Sequence, residues 1–171
     1  MTDLPTEESS TAPSSPRQQR WDDGEWGNAE QEKIPQSRSG ARQLALRALY
    51  WESANPGQIG EALQQLGEAC GLTPKLQTFA EQVATAAVEY RSELDDLVRD
   101  NATNWYPDRI ARLDGLILRL GLAELLYIGD VPARVTIHEA VELAKTYGGG
   151  QSYRFVNGLL DAIARQRDLD V

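Results

Sequence analysis

The residues best suited to chemistry in this chain follow a run of three glycines, in YGGGQSYRFVNG from Tyr147 to Gly158. Ser152 can cap a helix there. That places Tyr153, Arg154 and Phe155 in the first helical turn, where unpaired backbone N–H groups and the positive end of the helix dipole attract anions. A guanidinium suits a phosphate, and Phe155 or Tyr153 offers a ring on which a base can stack. The chemistry indicated is nucleic-acid binding. A second basic group lies in SRSGARQLALRALY, where Arg38, Arg42 and Arg47 fall within about 180° of one helix and can follow a single RNA backbone. Taken alone, that second group also reads as an ordinary solvated face, and the sequence does not say whether the two groups meet.

Catalysis is tested by subtraction. His138 and Cys70 are the only residues of their kinds, so no intrachain disulfide and no zinc cluster of the usual Cys/His type can be built. A Ser/His/Asp or Cys/His device would need His138, which falls in the first turn of a helix with no motif around it. The glycine run lacks the Lys-Ser/Thr ending of a phosphate-binding P-loop, and no strand precedes it. The carboxylate pairs Asp95/Asp96 and Asp22/Asp23 read as a solvated helix surface and as tail. No catalytic residue, metal or cofactor is expected.

Lys and Arg total 17 against 26 Asp and Glu, a net charge of −9 in 171 residues. A chain so acidic cannot coat nucleic acid indiscriminately, so any contact must be a local patch. Among the cations, 14 are Arg and 3 are Lys, which favours forked phosphate contacts and stacking on bases. The start, MTDLPTEESSTAPSSP, is acidic and polar where a secretory signal needs a basic and then an apolar run. Leu116 to Ile128 is the most apolar stretch, but it is too short to span a bilayer and is broken by Arg119 and Glu124. A soluble, cytoplasmic protein is expected.

These residues must be held by helices. Residues 1–38 have no apolar periodicity and read as a disordered acidic and polar tail, with Trp21 and Trp26 as its unusual feature. From residue 39 to 171 the pattern is one helical domain. Ala41, Leu44, Ala45, Ala48, Leu49 and Trp51 line one side of a first helix, with Arg38, Arg42, Gln43 and Arg47 opposite, and Asn55-Pro56-Gly57 ends it. Ile59, Ala62, Leu63, Leu66 and Ala69 mark a second helix closed by Gly71. Thr73-Pro74 opens a long third one, with Leu76, Phe79, Ala80, Val83, Ala87, Tyr90, Leu94 and Leu97 as its buried stripe, ending near Asn101. A short helix follows from about Pro107, and Leu116 to Ile128 forms a central one. Thr136 is the expected N-cap of the next, with Glu139 three residues on and Val135 and Ala140 as a staple. Gly148-Gly149-Gly150 closes it through positive φ. No run alternates with period two. The class is all-α, about seven helices and no sheet.

Three blocks in order, ARQLALRALY (41–50), NWYPDRIARLDGLILRLGLAELLY (104–127) and DVPARVTIHEAVELAKTYGGGQSYRFVNGLLDAI (130–163), resemble the NusB family of transcription antitermination factors. The resemblance spans Arg38 to Ile163. It implies an all-helical, non-enzymatic bacterial adaptor that binds boxA-type single-stranded RNA together with NusE, a small-subunit ribosomal protein. That pair joins the elongating polymerase on ribosomal RNA transcripts. By position, Arg38 and Arg42 resemble the family's arginine-rich amino-terminal RNA contact, and Tyr153, Arg154 and Phe155 its second RNA-contacting cluster. Asp114 and Arg119 fall where the family has a charged pair near the RNA and partner surface. Tyr50 falls at a position associated with function, although a tyrosine packing the first helix would look the same. Ser39 and Gly40 stand where better-known members carry arginines, which implies weaker RNA binding. His138 and Gln151 replace the usual Asn and acid. Two rivals remain: a helical scaffold that binds only protein, and the NusB-like module of a ribosomal RNA methyltransferase, for which a chain stopping at Val171 leaves no cofactor domain unless it is a fragment.

Overall fold

The computed structural model describes residues 33–102 and 110–171. Among them are seven α-helices and no strand: α1 Arg38–Ala54, α2 Ile59–Cys70, α3 Pro74–Glu89, α4 Arg91–Asn101, α5 Arg112–Ala123, α6 Ala133–Tyr147 and α7 Ser152–Gln166. Trp21, Trp26 and the start of the short helix expected from about Pro107 lie outside the described residues; of the rest of that segment, residues 112–115 belong to α5.

Helix α1 starts where Ser37, in extended backbone, accepts a hydrogen bond from Gly40 N–H at 3.2 Å through its side chain. Ala41, Leu44, Ala45, Leu46 and Ala48 have no exposed surface, so α1 is a central helix packed against α2, α3 and α5. The fold reaches back before it. Ile34 is part of the core, and a Cβ on Gly40 would collide with the Pro35 carbonyl and with Ile34. Glycine at position 40 therefore lets the preceding chain lie against α1, which extends the folded region several residues into the segment expected to be tail.

Gly71 closes α2 at φ 63°, and Pro74 opens α3, both as expected. The long third helix is instead two. Tyr90 leaves helical geometry (φ −96°, ψ 18°), and its ring stacks on Tyr127 at 3.8 Å with the planes 6° apart. The expected Leu116–Ile128 helix starts earlier, at Arg112, and its last five residues, Glu124–Ile128, form a wider π turn that stops at Gly129 with φ 71°.

Helix α6 begins at Ala133 behind Pro132, three residues before the expected cap. Thr136 is inside the helix and buried, and its hydroxyl donates to Glu124 Oε1 at 2.9 Å. The helix has already begun by then, since Thr136 N–H bonds to the Pro132 carbonyl at 3.2 Å, and the hydroxyl serves a buried carboxylate instead of a helix end. Val135 is 39% exposed and makes no staple. The glycines after α6 also work differently from expectation, since Gly57, Gly71 and Gly129 are the described glycines with positive φ. Gly148 is extended (φ −83°, ψ 177°), and its side chain is missing for lack of room: a Cβ would come to 2.5 Å from Ser152 Cβ and 2.6 Å from the Ala144 carbonyl. Ser152 is the first residue of α7 rather than its cap, the cap position being Gln151 with no side-chain bond.

Candidate nucleic-acid interface

The start of α7 presents the outward cluster. Arg154 is exposed, its Nε donates to the Tyr153 hydroxyl at 3.0 Å, and its guanidinium carbon lies 5.6 Å from the centre of the Tyr153 ring. Lys145, from the last turn of α6, brings its Nζ to 5.8 Å from the same ring. One half-buried tyrosine therefore has two exposed cations around it, of which Lys145 is also paired with Glu142 at 3.0 Å. Sequence reading missed Lys145, because the glycine run separates it from Tyr153 and only the turn between α6 and α7 brings them together.

Phe155 is not part of that surface. It is 9% exposed and lines the core side of α7 with Leu159 and Ile163. Of the two rings offered as a stacking platform, Tyr153 is the accessible one.

The basic face expected on α1 does not form. Arg38 is at the surface, with its Nη2 3.0 Å from Asp130 and its guanidinium 4.7 Å from the Phe79 ring centre. Arg42 is 4% exposed and forks onto Glu124, Nε to Oε2 at 2.8 Å and Nη2 to Oε1 at 2.6 Å, with Glu139 at 3.6 Å. Arg47 is 2% exposed, close enough to Cys70 for its charge to oppose the rise in the thiol pKa that burial causes. The physical reason is the central position of α1: Arg42 meets Glu124 of the π turn and Glu139 of α6 instead of water, and Arg47 is enclosed near Cys70 of α2.

Asp114 and Arg119 do not pair with each other. Arg119, with 15% of its side chain exposed, forks onto Asp95 of α4 at 2.9–3.0 Å. It lines an open groove of about 520 Å³ between α4 and α5 together with Arg91, Arg99 and Arg112. The Asp114 carboxylate is buried, and its Oδ2 accepts the Ser152 hydroxyl at 2.9 Å. Burial pushes the Asp114 carboxyl above the usual carboxylate range, and the Ser152 bond opposes that rise. Tyr50 is buried under the Arg112 guanidinium, 4.6 Å from its ring centre, and reads as packing. His138 is exposed. No group of His, Cys, Asp and Glu among the described residues could hold a metal ion, and no described helix is long and apolar enough to cross a membrane.

The profile of the NusB family matches residues 39–165, about three quarters of the chain. The chain belongs to the NusB family. It is 39% identical over 132 residues to the transcription antitermination protein NusB of Myxococcus xanthus, covering 75% of this chain and 94% of that one. To the Bacillus subtilis protein of the same name it is 36% identical over 123 residues, covering 72% and 91%. Among solved structures it is similar to Thermotoga maritima NusB (T. maritima; TM-score 0.66, 34% identity, 78% of this chain and 93% of that one). It is also similar to a chain in the crystal structure of antitermination factors NusB and NusE in complex with dsRNA (TM-score 0.68, 27% identity, 75% and 96%). The NusB match takes in Lys145, Tyr153 and Arg154, whereas Ile34 and Arg38 precede it.

Proposed function

We propose that this NusB-family chain is a transcription antitermination factor: a non-enzymatic adaptor that binds RNA jointly with a NusE-type ribosomal protein and so promotes ribosomal RNA transcription in a bacterial cytoplasm. The observation that carries the reading is the exposed Lys145–Tyr153–Arg154 cluster, on a fold whose relative is seen with NusE and RNA. Arg154 supplies a phosphate contact and Tyr153 the stacking ring, with Lys145 and Arg38 as further cations once their exposed bonds to Glu142 and Asp130 yield. Arg42, Arg47 and Phe155 act from inside by fixing the helices that carry these groups. Arg119 and Asp114 are likewise engaged within the protein, so neither contacts RNA without first giving up a protein partner.

A ring that can stack on a splayed base favours single-stranded RNA, and membership of the NusB family makes the boxA type the strand to try. The double-stranded RNA in the related complex makes a duplex the competing ligand. Fluorescence anisotropy with a boxA-type single strand and the matching duplex, at fixed salt and with the NusE-type partner present, separates the two. Tyr153→Ala should cost about 1 to 3 kcal/mol of single-strand affinity and leave duplex binding nearly unchanged. Equal binding of wild type and Tyr153→Ala to the single strand would remove stacking from the account.

A further inference from the structure

The buried Asp114 carboxylate touches the first residue of the helix that carries the proposed RNA cluster. On α5 it accepts the Ser152 hydroxyl through Oδ2 at 2.9 Å, and the same Ser152 oxygen accepts the Gly149 backbone N–H at 2.9 Å. One hydroxyl thereby ties three pieces together: the first turn of α5, the first turn of α7, and the loop that leaves α6. The loop is closed tightly over this point. Gly148 has no room for a Cβ because Ser152 Cβ and the Ala144 carbonyl occupy the space. Tyr153 and Arg154 follow Ser152 directly, so the direction in which they leave the surface is set by where Ser152 is held.

Packing alone does not require an acid at position 114. Its second oxygen, Oδ1, is buried and accepts no hydrogen bond from a described residue, which is costly for a carboxylate, and Arg119 is engaged with Asp95. Among the described residues, the side-chain bond of Asp114 goes to α7.

We propose that Asp114 is a positioning residue for RNA binding, which acts through Ser152 to fix the start of α7 and with it Tyr153 and Arg154, and which makes no contact with RNA or partner itself. This rests on the reading of the Tyr153–Arg154 cluster as an RNA contact. What Asp114 must supply is an acceptor for the Ser152 hydroxyl, so an uncharged acceptor of the same shape should serve.

The test uses the full chain and four variants, Asp114→Ala, Asp114→Asn, Ser152→Ala and the double variant Asp114→Ala/Ser152→Ala. Two quantities are read: hydrogen exchange of the Gly149 amide without RNA, and affinity for a boxA-type single strand in the presence of the NusE-type partner. Asp114→Ala and Ser152→Ala should each speed Gly149 exchange and weaken RNA binding roughly three- to tenfold, and together they should do little more than either alone. Asp114→Asn should restore both readings. Affinity for the partner protein, measured without RNA, should be the same in all variants. Unchanged Gly149 exchange in Asp114→Ala, or an Asp114→Asn as impaired as Asp114→Ala, would overturn the proposal. If Asp114→Ala does not fold, Ser152→Ala decides, because it removes the same bond from the other side. Should wild type bind no RNA at all, the functional reading fails, and Gly149 exchange still accepts or rejects the tie between Asp114 and α7.

Discussion

Arg42 shows how a residue can have the right type and spacing for a ligand and still be spent inside. On a helical wheel it belongs with Arg38 on a polar side, but α1 is surrounded, and its guanidinium forks onto Glu124 with both side chains almost fully buried. A buried pair of this kind is expensive to break, because the remaining charge is left without a partner. Arg42→Met should therefore destabilise the fold by about 3 to 5 kcal/mol in urea unfolding. Adding Glu124→Met should recover most of that loss. A single variant as stable as wild type would mean that the fork contributes nothing to holding α1 against the π turn.

Asp114 makes a pH prediction whose sign follows from its burial. Its folded pKa lies above the ordinary value of 3.8, so below that value the carboxyl is neutral in both states and carries no penalty. As pH rises through the folded pKa the charge must be held in the interior, and stability is lost. Asp114→Asn, which cannot titrate, should be more stable than wild type at neutral pH, and the advantage should shrink as the pH is lowered towards and below 3.8. An advantage that is independent of pH would show that the carboxyl does not titrate with folding.

At the scale of elements, the helices were legible because their apolar residues repeat at helical spacing and their ends carry strong backbone signals. Gly71 and Thr73-Pro74 act through φ and a missing N–H, which depend on no distant partner, and both stand where expected. The break at Tyr90 was hidden because the apolar stripe continues across it, and the ring stack with Tyr127 that accompanies it joins residues 37 positions apart. Thr136 was misread because the helix starts three residues earlier, at Ala133 behind Pro132, so its own N–H bonds back to the Pro132 carbonyl and its hydroxyl is free to donate to Glu124 of another element. The cluster proposed to bind RNA was half legible: Tyr153 and Arg154 are adjacent in sequence, while Lys145 joins them across the turn and Phe155 faces inward.

That turn yields a prediction of its own. Because the constraint at Gly148 is space and not positive φ, Gly148→Ala should strain the contact with Ser152 and the Ala144 carbonyl and destabilise by about 1 to 3 kcal/mol. Gly150, with open space around it, should accept alanine with far less effect. Equal melting temperatures for the two variants would contradict this account of the loop.

At the scale of the whole molecule, a net charge of −9 and the proposed RNA ligand oppose each other. Long-range repulsion slows and weakens the approach of a polyanion, and the cations proposed to meet it, Arg38, Lys145 and Arg154, are few. The same surface is well suited to a basic ribosomal protein, which would offset the repulsion and add contacts of its own. The account therefore requires cooperation: RNA and partner should each bind more tightly when the other is present, and by the same factor, since coupling between two sites is reciprocal. The most direct test is the affinity of a boxA-type single strand, titrated at one fixed salt concentration with and without saturating NusE-type protein. The account predicts RNA binding at least roughly tenfold tighter with the partner, within the usual range of coupling between sites. Equal affinity in the two titrations would contradict it and leave a helical scaffold that binds only protein as the better description.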